Sequence, residues 1–241
     1  MPFADWNEPE CYACTHSFDG AQWAWQFLRR NPQYQAEWSA FNEVWAALEA
    51  AYGRPPQRDF CAWKADPRAW VSVQDCPDSD CRVDRYKVLI ECAMGARWGF
   101  YKFPASPAED DPVGGQRLQW REQVDEGIPV VGHDDHEWLG DDPARVALGF
   151  DLTLPLRDQI ERAKRALQLM QRRRQKSGQV EAVSLKTQRA ELTLMLRLLD
   201  AEAAAADKAS LATISEDWRI MLDRAHELRD GAYRRLPFMP A

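Results

Sequence analysis

Apolar residues recur at helical spacing near both ends of the chain and lose that spacing in the middle. The stretch Ala21 to Arg30 reads as a short helix, introduced by Asp19-Gly20 and stopped at Asn31-Pro32. Asn31 is then placed to cap a second helix, with Pro32 in the first turn, where a missing N–H is tolerated. In that helix Tyr34, Trp38, Phe41, Trp45, Leu48 and Tyr52 recur at steps of three and four, and Gly53 supplies the stop. Six large side chains on one stripe predict a core face.

After Arg54-Pro-Pro56 the pattern turns to short, β-rich pieces. Residues 69–73, 86–92 and 97–103 read as strands, with Met94-Gly95-Ala96 as the turn of a hairpin between the last two. The stretch 104–115 has turn chemistry throughout and is expected to be a flexible loop. A second soft region runs from Gly132 to Pro143.

From Asp151 onward the period is helical again. Pro155 opens a helix with an apolar face of Leu156, Ile160, Ala163, Leu167 and Met170, and it ends in the basic cluster Arg172-Arg-Arg-Gln-Lys176 before Gly178. Residues 185–206 are apolar nearly all round, which predicts a helix at the centre of a small bundle. Asp207-Lys208-Ala209 breaks it, Ser210 is placed to cap a short helix through Ile214, and a last helix starts near Ser215 or Glu216. The expected fold is mainly α with a small β-hairpin element in the N-terminal half and a C-terminal helical bundle containing a helix-turn-helix.

Charge sharpens this division. The chain has 241 residues and a formal charge of −7. Residues 1–150 hold 14 Lys and Arg against 25 Asp and Glu, whereas residues 151–241 hold 17 against 13. Ten of the eleven tryptophans lie in the first part. The step predicts an acidic, Trp-rich domain over 1–145 and a mildly basic helical domain over 146–241. The first would repel a polyanion and the second could meet one. No apolar run reaches membrane-spanning length, and the N-terminus lacks the pattern of a secretory signal, so a cytoplasmic protein is expected.

Little in the sequence points to catalysis. It has no P-loop, dinucleotide-binding glycine pattern, nucleophile elbow or helical His-Glu-x-x-His. Cys11-x-x-Cys14 lacks a second close pair, since Cys76 and Cys81 are four residues further apart than adjacent; the cysteines read as reduced thiols with no metal. His133-Asp-Asp-His136-Glu137 would be the seat of a metal-dependent enzyme, but with no further histidine-rich motif to complete a site it reads as a solvated acidic connector. No cofactor and no enzymatic activity are expected. A helix-turn-helix needs exposed polar and basic side chains for bases and phosphates, and Lys208, Ser210, Thr213, Arg219 and Arg224 are the candidates around the turn. Arg234, Arg235 and the cluster Arg172, Arg173, Arg174 and Lys176 are candidates for the phosphate backbone. The alternative is a three-helix bundle with a solvated charged face, serving as a docking module that does not bind DNA.

Trp23-Ala-Trp-Gln-Phe-Leu-Arg-Arg-Asn-Pro-Gln-Tyr34, with Trp38 beyond it, resembles the opening of a transcriptional-regulator-like domain of proteobacterial integrative and conjugative elements. Arg97 to Pro104 and Gln119 to Glu122 are similar to its second block. Phe150 to Leu156, Leu199-Asp-Ala201, Ala209 to Ile214 and Gly231 to Leu236 resemble a companion helix-turn-helix family of unknown function. The pair of motif sets resembles the FseA-type transcriptional activators. That resemblance implies a protein that binds promoter DNA, switches on the gene for a recombination directionality factor, and so promotes excision and transfer of the element. It further implies inhibition by a small antiactivator protein. The acidic, Trp-rich N-terminal half is then expected to contact protein: a second copy of the chain, RNA polymerase or the antiactivator.

Overall fold

The computed structural model describes residues 3–76, 82–115, 117–121, 143–180 and 184–240. Their packing divides the chain into two units, one formed by residues 1–123 together with 184–241 and the other by residues 124–183. This division departs from the expected one at 145/146, because the helices after residue 184 complete a core begun by the first thirty residues.

In the first unit a 3₁₀ segment, Pro9–Ser17, leads to α1 (Gly20–Leu28). Asp19 caps α1 through its Oδ1, which accepts from the Gln22 amide at 2.8 Å, while the Gln22 side chain accepts from the Asp19 amide at 3.0 Å. Asn31 caps α2 (Pro32–Tyr52) as expected, accepting from the Gln33 and Tyr34 amides, and Gly53 ends it. α1 is buried nearly all round: Trp23, Ala24, Trp25, Phe27 and Leu28 are wholly inaccessible. It is covered by the C-terminal 3₁₀ segment Ala232–Phe238 so closely that a Cβ on Gly20 would lie 1.9 Å from the Leu236 carbonyl oxygen. The stripe of α2 serves two clusters. Tyr34, Trp38 and Phe41 join the main core, while Trp45, Leu48 and Tyr52 pack around Trp63 and Ala69.

The middle of the chain differs from its expected form. After α3 (Phe60–Ala65), β1 (Trp70–Ser72) pairs antiparallel with β2 (Lys87–Leu89), with Val71 opposite Val88. The chain then enters α4 (Ile90–Trp98). Met94, Gly95 and Ala96 therefore lie inside a helix and not at a hairpin turn. Residues 97–103 form no strand, only an isolated bridge between Phe100 and Trp120. The glycine that suggested a turn answers to close packing: a Cβ on Gly95 would lie 2.6 Å from the Phe100 carbonyl oxygen. The helix formers around it, Glu91, Ala93, Met94 and Ala96, do the rest.

Residues 104–115, expected as a flexible loop, are a packed strap with Ala105 buried. Its carbonyls accept from Tyr34 Oη (Ala105, 2.6 Å), Arg29 Nε (Pro107, 2.9 Å), Trp25 Nε1 (Glu109, 2.9 Å) and Gln26 Nε2 (Asp110, 2.9 Å). Turn-forming residues set the path, and side chains of α1 and α2 satisfy the backbone that the path leaves unpaired.

α6 (Leu185–Ala203), α7 (Lys208–Ile214) and α8 (Trp218–Asp230) close the first unit. α6 buries Leu192, Met195, Leu196, Leu198 and Leu199, as its apolar pattern predicts. It also buries an acid. Asp200, 1% exposed, accepts from Arg30 at 2.7 and 3.0 Å, from Tyr12 Oη at 2.7 Å and from the Phe3 amide at 3.1 Å. A carboxylate this deep is tolerated because every lone-pair direction meets a donor. Burial, and then the neighbouring carboxylate, push the Tyr12 hydroxyl well above the ordinary phenol range.

The described part of the second unit is α5 (Leu156–Lys176) and the segment before it. The Asp151 amide donates to Gln159 Oε1, and Gln159 Nε2 donates back to the Asp151 carbonyl, both at 2.8 Å. At the other end Arg174 donates to the carbonyls of Pro143 and Arg145. Residues 143–151 thus run back along α5. No residue of α5 is buried.

Candidate nucleic-acid interface

α6, α7 and α8 give the layout that the sequence suggested, with its boundaries moved. The break falls at 204–207, and Lys208 and Ala209 are already helical. Asp207, and not Ser210, is the cap: its Oδ1 accepts from the Ser210 amide at 2.8 Å, and that bond holds the Asp207 carboxyl below the usual carboxylate range. The Thr213 hydroxyl donates to the Ser210 carbonyl at 2.6 Å, tightening the short helix. Three residues, Ser215 to Asp217, separate α7 from α8, the turn length of a helix-turn-helix. α8 is held by Met221, Leu222 and Ala225, all buried against the main core.

On this scaffold Lys208, Thr213 and Arg219 are exposed, and Ser210 is half-buried. Arg224 is ion-paired with Glu191 on α6. Arg234 reaches across Gly99 to donate to the Arg97 carbonyl, and Arg235 is exposed. Arg172, Arg173 and Lys176 are exposed at the end of α5, and Arg174 is turned to the Pro143 and Arg145 carbonyls. Those four belong to the second unit. The structure therefore gathers Lys208, Ser210, Thr213 and Arg219 about one turn, and commits Arg224, Arg234 and Arg174 to the protein's own groups.

The charge of the expected basic half is unevenly placed. α5 holds eight Lys and Arg against two Asp and Glu, while residues 184–241 hold nine of each. The outward positions at the start of α8 include Glu216, Asp217 and Asp223 beside Arg219. Phosphate attraction is thus concentrated in α5, and the α7–α8 turn is close to neutral.

Sequence reasoning missed the Arg30–Asp200–Tyr12 centre. A single acid inside the apolar run Leu198-Leu199-Asp200-Ala201 was the available signal, since an unpaired carboxylate is not kept in a core. Among the described residues, no three His, Cys, Asp or Glu side chains are gathered as metal ligands; His133 to Glu137 lie outside them. No helix of the described residues is long and apolar enough to cross a membrane.

Residues 5–62 match the family model of a proteobacterial transcriptional regulator-like domain. The match covers the first 3₁₀ segment, α1, α2 and the start of α3, about a quarter of the chain, and supports a role in transcriptional regulation. No curated protein and no solved structure matches the chain.

Proposed function

We propose that this protein is a DNA-binding transcriptional activator acting in the cytoplasm. The observation that carries the reading is a regulator-like segment over 5–62 sharing one core with a three-helix array whose three-residue turn leaves Lys208, Thr213 and Arg219 open. In this reading α8 sits at the DNA groove, with Arg219 toward base edges and Lys208, Ser210, Thr213 and Arg235 on its own unit beside it; α5, taken by itself, offers Arg172, Arg173 and Lys176 to phosphates. Its finer form is that of the FseA-type activators of integrative and conjugative elements. The target is then the gene of a recombination directionality factor, the output is excision and transfer, and a small antiactivator holds the protein silent.

The test is binding of the purified chain to labelled duplex from upstream of its own element, against a scrambled duplex, across a salt series. Specific binding with a steep salt slope is expected. Reversing Arg172, Arg173 and Lys176 to Glu should shrink the log–log slope by roughly two to three, at about 0.9 per phosphate contact. Equal, weak and salt-insensitive binding to both duplexes refutes the reading. A second reading, a docking module that meets protein and not DNA, draws on the acids at the start of α8. It predicts that Lys208→Ala with Arg219→Ala leaves duplex binding unchanged.

A further inference from the structure

The apolar surface of the second unit is out of proportion to its size. Leu152, Leu154, Leu156, Ile160, Leu167 and Leu169 are 38–83% exposed, and no residue of α5 is buried. The first unit, in contrast, buries whole tryptophans. A soluble protein scatters single exposed leucines, and a contiguous row of them marks a surface made to be covered. Leu156, Ile160, Ala163, Leu167 and Met170 follow steps of four and three, which puts them on one stripe of α5.

The stripe is also held ready. Gln159 locks the entry turn to Asp151, and Arg174 ties the far end to Pro143 and Arg145. Among the described residues of this unit, none of which is buried, local hydrogen bonds order the helix and strap, so little ordering of them remains to be done on binding.

Charge decides what fits. By helical spacing Arg157, Lys164 and Arg173 flank the stripe; of the two acids of α5, Asp158 falls on the far side and Glu161 stands beyond the seam, next to Arg157 and Lys164. A second α5 would bring eight cations against eight with no acid at the seam. Phosphates could satisfy the arginines but not the leucines. We propose that the α5 stripe is a docking site for an amphipathic helix of a partner protein, apolar along its seam and bordered by Asp and Glu. The inference goes beyond DNA binding and does not depend on it.

Two synthetic helical peptides test it on the full chain, both with a Leu/Ile seam, one bordered by Glu and the other by Lys. The Glu peptide is expected to bind at least about tenfold tighter, a difference of about 1.4 kcal/mol, and to weaken as salt is raised. Ile160→Ser with Leu167→Ser should abolish binding while leaving the circular-dichroism melt and the duplex-DNA affinity unchanged, because both side chains are exposed and the charge of α5 is kept. Equal binding of the two peptides, or none, overturns the proposal. So does self-association of the full chain, or adsorption to anionic phospholipid vesicles, if the same double substitution removes it; the occupant would then be a second copy or a membrane. Absence of specific duplex binding by the unaltered chain, with peptide binding intact, would refute the DNA reading alone.

Discussion

Trp25 and Leu167 are both apolar residues on helices, yet Trp25 is wholly buried and Leu167 is 38% exposed. The difference lies in what their helices were given to pack against. α1 is wrapped by chain from both ends of the sequence, so its hydrophobic surface is spent within the fold. α5 keeps its stripe outward and is ordered by hydrogen bonds to its own flanking strap. Periodicity reports that a helix has an apolar face; it does not report whether that face belongs to the chain's own core or to another molecule.

The comparison breaks most sharply at Asp200. Asp200→Ala would leave the Arg30 guanidinium, 6% exposed, without its counter-charge. A loss of about 3–5 kcal/mol is expected in urea unfolding followed by tryptophan fluorescence. Leu196→Ala on the same helix should cost about 2–5 kcal/mol through the cavity it leaves. Gly20→Ala forces a Cβ onto a main-chain carbonyl that a side-chain shift cannot relieve, and about 1–3 kcal/mol is expected.

A smaller effect of opposite sign is expected at Glu91. Its carboxyl is buried, one oxygen meets no hydrogen-bond partner among the described residues, and burial raises its pKa above the unfolded value. The folded state then holds the proton more tightly than the unfolded state. The contribution favours folding at low pH and is lost as pH rises through the folded pKa, where ionisation puts a charge in a buried site. Glu91→Gln should therefore stabilise the protein by about 1 kcal/mol at neutral pH. The gain should vanish below the ordinary carboxyl range near pH 4. A gain that does not change with pH would point to packing and not to charge. Least of all should move in α5: Ile160→Ala or Leu167→Ala is expected to alter the free energy of urea unfolding by less than about 0.5 kcal/mol. A loss as large as that of Leu196→Ala would show that the stripe is covered within the chain.

Much of this architecture can be read from local signals. Asn31 with Pro32, Gly53, and the leucine run of α6 mark their helices because caps and apolar periods act over a few residues. The α7–α8 turn is legible for the same reason, although Asp207 takes the capping role expected of Ser210. What stays hidden is non-local. Gly95 looks like a turn residue until Phe100 is known to lie against it. The strap at 104–115 looks loose until side chains some eighty residues away are seen to hold its carbonyls. The candidate interface divides in the same way: the exposed Lys208, Thr213 and Arg219 follow from helix order, but Arg224 and Arg234 are occupied by groups that only the fold brings near.

The bond between Arg30 and Asp200 spans 170 positions of sequence. During synthesis at about 5–20 residues per second, the intervening chain takes roughly 10–35 s to emerge. Throughout that interval Trp23, Trp25 and Phe27 have left the ribosome while the helix that covers them does not yet exist. The nascent regulator-like segment is therefore a half-finished apolar surface that only the last quarter of the chain completes.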